Sequence, residues 1–198
     1  MSGFTLVDLV QASLSTWFLT DIRWWVLVLC LSVPHWLYAF VWTRSKAFER
    51  FVFEYIGIVS PVTVFSTTAH CLKVWQFLSL SAWYLGKGPF LGLGDRSVPQ
   101  LVIALGLLAF GQLLNISMMK AIGTNGVYYG VRLHRPVPWC TDFPFNTFRH
   151  PQYLGSVASL WGILLLIATP QHAAAGIFQV GVMHSAMYAI TGYIEDHF

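Results

Sequence analysis

Residues 164–178 read LLLIATPQHAAAGIF, and the reading of this stretch decides the fold. It joins two apolar runs, 153–169 and 173–194. Pro170 has no amide hydrogen with which to continue a helical ladder, and the next two residues, Gln171 and His172, are polar. At a rise of about 1.5 Å per residue the runs reach about 25 and 33 Å, each close to the hydrocarbon thickness of a bilayer. One kinked helix over both would be about twice the length a bilayer needs. The stretch therefore predicts the turn of a helical hairpin, which returns residues 150 and 195 to the same membrane face.

Composition supports a bilayer as the surrounding solvent. Of 198 residues, 56% are apolar, 16% aromatic and 10% charged, with a mean hydropathy of +0.62. Soluble domains carry about 25% charged residues, so this chain cannot cover a soluble surface. The formal net charge of +3 is small and its basic residues are scattered, which points away from nucleic acid. Cys30, Cys71 and Cys140 are far apart and form neither a disulfide framework nor a zinc spacing. The N-terminus lacks the pattern of a cleavable signal peptide.

Outward from the hairpin, the apolar runs 24–42, 51–69 and 98–119 complete a predicted all-α polytopic bundle of four to five spans, forming one domain over 1–198. Glu54 and Pro61 interrupt the second run. Residues 1–22, with the mixed segment FTLVDLVQASLSTWFL at 4–19, read as an interfacial helix. If all five runs cross, Arg44, Lys46, Arg50, Lys120, Arg132, Arg135 and Arg149 share one face, and Arg23, Lys73, Lys87 and Arg96 the other. The excess of positive charge places the 120–152 loop in the cytosol. Trp24, Trp25, Trp42, Trp75 and Trp139 fall near the predicted boundaries. The Gly-rich segment 85–97 lacks the strand and the Gly-Lys-Ser/Thr ending of a phosphate loop and reads as a flexible connection.

The polar chemistry gathers on the face to which the hairpin returns. GTNGVYYGVRLHRPVPWCTDFPFNTFRH at 123–150 supplies glycines, tyrosines and cations, and Glu195-Asp196 lies across from it. Gln112, Asn115 and Ser117 stand among small and apolar residues in the preceding run, where they serve either close helix packing or a pocket. Ser117 and Ser156 have no evident base, so a hydrolase triad is disfavoured. His134, His150 and His197 lack metal-site spacing, so no metal is expected. Carboxylates and aromatic faces at a bilayer boundary suit a cationic small molecule and a lipid that arrives sideways.

The ordered set NGVYYG (125–130), FPFN (143–146), RHPQYLGS (149–156), LWG (160–162) and IED (194–196) resembles the phosphatidylethanolamine N-methyltransferase family of phospholipid methyltransferases. The Arg-His-Pro-x-Tyr-x-Gly element is shared with the wider isoprenylcysteine carboxyl methyltransferases. The resemblance runs over about residues 30–198 and is strongest at 121–162. It implies S-adenosylmethionine as cofactor, a membrane phospholipid amine as acceptor, and residence in the endoplasmic reticulum membrane with a cytosolic site. For the cofactor it implies Glu195 and Asp196, with Asp second in the family's paired-glutamate element, and Ala109-Phe110-Gly111, with Ala in place of a first glycine. His150 stands where many phospholipid members carry Asn. On this reading His150, Tyr153 and Arg149 are the catalytic candidates. Tyr129, Asn146 and Arg132 are the candidates for substrate binding, with Tyr129 and Tyr153 as cation–π faces and Arg149 or Arg132 as the partner of the lipid phosphate or the cofactor carboxylate. O-methylation of a prenylcysteine carboxylate, a sterol-reductase-like NADPH enzyme and a non-catalytic scaffold are the alternatives.

Overall fold

The computed structural model describes residues 4–88 and 96–198. Most of the Gly-rich segment, 89–95, lies outside them. A short helix α1, Leu6–Ser13, starts at Thr5, whose hydroxyl accepts from the Asp8 amide while the Asp8 carboxylate accepts from the Thr5 amide at 2.6 Å. This reciprocal capping satisfies two of the amides that a helix start leaves open. Leu9 is buried and Val7, Val10 and Leu14 are exposed, the two-faced character expected at an interface. A 3-10 turn at Trp17–Thr20 leads to α2, Ile22–Thr43, capped by the Asp21 carboxylate.

Beyond α2 the chain departs from the expected second span at 51–69. Helix α3, Ser45–Phe51, runs into a π-helical turn, Val52–Ile56, and stops at Gly57 with φ +99°. Side chains rarely adopt that conformation, so glycine ends the helix without strain. The path bends by 90°, and Pro61 opens α4, Pro61–Leu85. Pro at the first helical position loses no hydrogen bond, so Pro61 marks the restart of the helix after the break at Gly57. Because α4 continues to Leu85, Lys73 lies mid-helix rather than in a loop on the opposite face.

Helix α5, Val98–Val127, is kinked at Gly123, where φ is +62°. The predicted hairpin is present as α6, Pro151–Ile167, a short α7, Pro170–Ala174, in the turn, and α8, Ile177–His197. At Gly176, φ +89°, an added Cβ would lie 2.7 Å from Phe18 Cγ. The Trp24 indole donates to the Gly176 carbonyl at 3.0 Å. Arg96 donates to the carbonyls of Leu166 and Ile167 at 3.0 Å, and Gln100 to that of Leu165 at 2.7 Å. These polar groups occupy the carbonyls that the end of α6 leaves without partners.

Helix α5 packs mainly on α6, α8 on α2 and α6, and α4 on α2. The α5–α6 contact is built on missing side chains. A Cβ at Gly111 would meet Ser159 Oγ at 2.3 Å, one at Gly155 the Gly111 carbonyl at 2.9 Å, and one at Gly162 the Ala104 carbonyl at 2.8 Å. Close backbone approach of this kind is the usual adhesive between helices in lipid. Helices α2 and α5 are long and apolar enough to cross a membrane, and the bent α3–α4 pair makes a third candidate. Helix α6, at 17 residues, is apolar but shorter.

Candidate active site

The hairpin brings α6's first turn against α8's last. His150, at the N-cap of α6, lies between the two carboxylates: Nδ1 is 3.9 Å from Glu195 Oε2 and Nε2 is 3.2 Å from Asp196 Oδ2. Arg149 completes the group with a guanidinium nitrogen 3.0 Å from Asp196 Oδ1. The His150 ring stacks on Tyr153, centroids 5.7 Å apart, over Gly192, where an added Cβ would still make ordinary contact with both rings at 3.6 Å.

Tyr129 arrives from the far side. Its hydroxyl and that of Tyr153 are 3.0 Å apart and both donate to Glu195 Oε1. The Tyr129 backbone is left-handed, φ 56°, which costs a non-glycine residue about 1–2 kcal/mol. Packing holds it there, with Phe65 stacked at 5.1 Å and Trp42 edge-on at 5.0 Å. Arg132 lies over the Trp42 ring at 4.4 Å and donates to the Phe198 carbonyl. A cavity of about 290 Å³ opens here, lined by Trp42, Tyr129, Arg149, His150, Tyr153 and Glu195 among others.

The two carboxylates differ in character. Burial pushes the Glu195 carboxyl up, and the hydrogen bonds from Tyr129 and Tyr153 together with His150 only partly offset this. Desolvation also pushes Asp196 up, but His150 and Arg149 outweigh it and hold that carboxyl below the usual range. Burial, reinforced by the adjacent Glu195, holds the Tyr129 phenol well above its ordinary range, so it stays a neutral donor. The two adjacent carboxyls are therefore shifted in opposite directions, Asp196 down by its cationic neighbours and Glu195 up by burial.

Of the residues singled out by sequence, Arg149, His150, Tyr153, Tyr129, Glu195 and Asp196 converge, and Arg132 lies beside them. Asn146 does not: it is exposed and accepts from the Thr147 hydroxyl at 2.7 Å. Nor do Ala109, Phe110 and Gly111. Gly111 is taken up by the α5–α6 contact, Ala109 is exposed, and the Phe110 ring faces Phe148 at 6.0 Å. The cavity draws instead on Met118, Ile122 and Gly126 of α5. His134 pairs with Glu49 at 3.8 Å, away from His150, and no metal-holding group of His, Cys, Asp or Glu occurs among the described residues. Sequence reasoning read Trp42 only as a boundary aromatic. Its position near the positively charged face was the available signal.

The fold and this site define an all-helical membrane protein with an acid, imidazole and phenol cluster at one end of its bundle. The profile of the phospholipid methyltransferase family matches residues 99–198. These residues contain α5 from its second residue, α6, α7, α8 and, apart from Trp42, every lining residue named above. The chain belongs to that family. Among its relatives is an Arabidopsis thaliana phosphatidyl-N-methylethanolamine N-methyltransferase, 34% identical over 132 residues, 67% of this chain and 73% of that protein. Proteins of the same name from Emericella nidulans and Saccharomyces cerevisiae are 38% and 33% identical, over 34% and 48% of this chain and 34% and 45% of theirs. No solved structure matches the chain significantly. The chain is accordingly an enzyme that methylates phospholipid.

Proposed function

We propose that the chain transfers methyl groups from S-adenosylmethionine to the amine of phosphatidyl-N-methylethanolamine and related ethanolamine phospholipids, towards phosphatidylcholine. The observation that carries this reading is the Glu195 carboxylate held jointly by Tyr129 and Tyr153, with His150 within 3.9 Å. The names of the relatives supply the acceptor class.

The residues present fit such a cofactor. Glu195 Oε1 is engaged by two phenols while Oε2 has only the distant imidazole, so one carboxylate oxygen remains to accept from an ammonium or a ribose hydroxyl. When bound, the cofactor would supply an electrophilic methyl group on its sulfonium. The chain's part is to present a neutral amine. Burial at the cavity disfavours the charged ammonium, and His150, braced by Asp196 at 3.2 Å, takes the proton that the amine must shed. The Tyr129 and Tyr153 rings offer faces to the cation that grows with each methylation. Arg132 is the candidate for the cofactor carboxylate or the lipid phosphate.

In this reading α2, α4, α5, α6 and α8 all cross the bilayer. The site end then carries Arg44, Lys46, Arg50, Lys120, Arg132, Arg135 and Arg149 against Arg23, Lys87 and Arg96 at the other end. That charge bias supports a cytosolic site, and the family resemblance supplies the endoplasmic reticulum as its membrane.

The test is incubation of the purified protein with methyl-labelled cofactor and defined lipids, followed by chromatography of the lipid products. Label is expected in dimethyl and trimethyl products from phosphatidyl-N-methylethanolamine. Label confined to a prenylcysteine ester, or absent from every ethanolamine lipid, would overturn the assignment.

A further inference from the structure

A second cavity, of about 190 Å³, lies deeper in the bundle, where α4 faces α5, α6 and α8; the active-site cavity does not share its lining. Its polar lining includes Lys73, Asn115, Ser156 and His184. Lys73 is the centre of the problem it poses. It is the thirteenth of the 25 residues of α4, about 18 Å along the helix from either end. Its ammonium donates to the Tyr188 hydroxyl at 3.1 Å, and among the described residues no carboxylate lies within ion-pair distance of it. A cation at that depth is expensive unless an anion or water meets it, and such residues line paths for substrates. A second donor or acceptor faces the same space: His184 is 6% exposed and its Nδ1 has no partner.

The ammonium is linked to the active site through rings. It sits 5.8 Å from the Tyr188 ring centroid, and Tyr188 lies 5.6 Å from Tyr153, whose hydroxyl binds Glu195. Along α8, Tyr188 to Glu195 is seven residues, about 10 Å. In an ethanolamine phospholipid, two carbons and one oxygen separate nitrogen from phosphorus. A phosphate on Lys73 therefore keeps the amine within a few atoms of Tyr188, on the helix that leads to Glu195. Helix α4 packs principally on α2, so the side of the cavity towards α5 and α6 is where a lipid can enter from the bilayer.

We propose that Lys73 binds the phosphate of the substrate phospholipid in this cleft between α4 and the α5–α6 pair, with Ser156 and Asn115 beside it. The proposal rests on the phospholipid reading above. It makes Lys73 a substrate-binding residue that fixes how far the amine reaches.

Binding is measured separately from catalysis, by thermal shift of the purified protein in a non-ionic detergent. The probes are phosphatidylethanolamine, phosphatidic acid and diacylglycerol. Wild type is expected to be stabilised by both phosphate-bearing lipids and not by diacylglycerol. Lys73→Met is expected to keep its fold, since it removes a charge from an apolar helix. It should lose about tenfold or more in apparent affinity for both, with its shift by S-adenosylmethionine unchanged. Lys73→Arg should restore part of the lipid shift, and it stands in if the Met variant fails to fold. Lys73→Met retaining both lipid shifts, or diacylglycerol stabilising as well as phosphatidic acid, would overturn the proposal. Loss of phosphatidic acid binding in a protein that methylates no ethanolamine lipid would sink the acceptor assignment and leave the phosphate site standing.

Discussion

Burial pushes the Glu195 carboxyl above the ordinary carboxylate range, and the phenols and imidazole around it do not bring it back. A carboxyl raised in the folded state stabilises the fold only while it is protonated. That contribution is complete below the unfolded-state value of about 4.3 and is lost as pH rises through the raised one. Once ionised, Glu195 is thus a burden on stability, of the kind a protein keeps for function. Glu195→Gln preserves the shape and an acceptor for Tyr129 and Tyr153 but removes the charge. Its melting temperature should equal or exceed that of wild type at pH 7.5, with the gap closing towards pH 4. Its kcat/KM for cofactor should fall about 10- to 100-fold, the scale of a lost hydrogen bond to a charged group. A melting temperature well below wild type at pH 7.5 with intact activity would show Glu195 to be structural. Six candidate residues of this site were legible because the hairpin fixes the register of 150 against 195. Lys73 was not, because its role depends on α4 running sixteen residues beyond the predicted end of its span.

At the scale of elements, the hairpin was readable from one proline and two polar residues between runs of sufficient length. The break between α3 and α4 was readable only as an interruption: Glu54 and Pro61 weaken a span on paper, whereas the positive φ of Gly57 that turns the chain is a property of the folded backbone. Gly111 shows the same limit. The motif at 109–111 resembles a cofactor element, yet a Cβ at 111 would meet Ser159 Oγ at 2.3 Å and the Gly155 carbonyl at 2.5 Å. The packing account predicts that Gly111→Ala forces α5 and α6 apart at a cost of about 1–3 kcal/mol. That would appear as a melting temperature lower by several degrees, with little change in KM for S-adenosylmethionine. Gly106→Ala on the same helix is the control. Nothing lies within 4 Å of an added Cβ there, and the higher helix propensity of alanine should stabilise it slightly. A raised cofactor KM at unchanged stability in Gly111→Ala would restore the cofactor role to this segment.

Over the whole molecule, the proposed five crossings would put the ends of α2, α5 and α8 and the starts of α4 and α6 at the same level, the end where the site collects. The same arithmetic separates two kinds of exposure that sequence cannot distinguish. Cys71 is exposed on α4 and Cys140 is half-buried in the segment between α5 and α6. By accessible area alone Cys71 is the more reactive thiol. In the proposed five-crossing arrangement the order reverses, because Cys71 lies ten residues into the 25-residue α4 and so at bilayer depth, beyond the reach of a charged reagent. Cys140 sits with the basic residues at the site end, among Trp139 and Asp142. In sealed microsomes with the cytosolic surface outward, a membrane-impermeant maleimide should label Cys140 and leave Cys71 and the half-buried Cys30 untouched until detergent is added. Cys140→Ser should abolish that labelling. Labelling of Cys71 in intact vesicles would show that α4 does not cross the bilayer, and with it the lipid-facing cleft around Lys73 would fall. Protection of Cys140 until the vesicles are opened would instead invert the orientation and place the site on the luminal side.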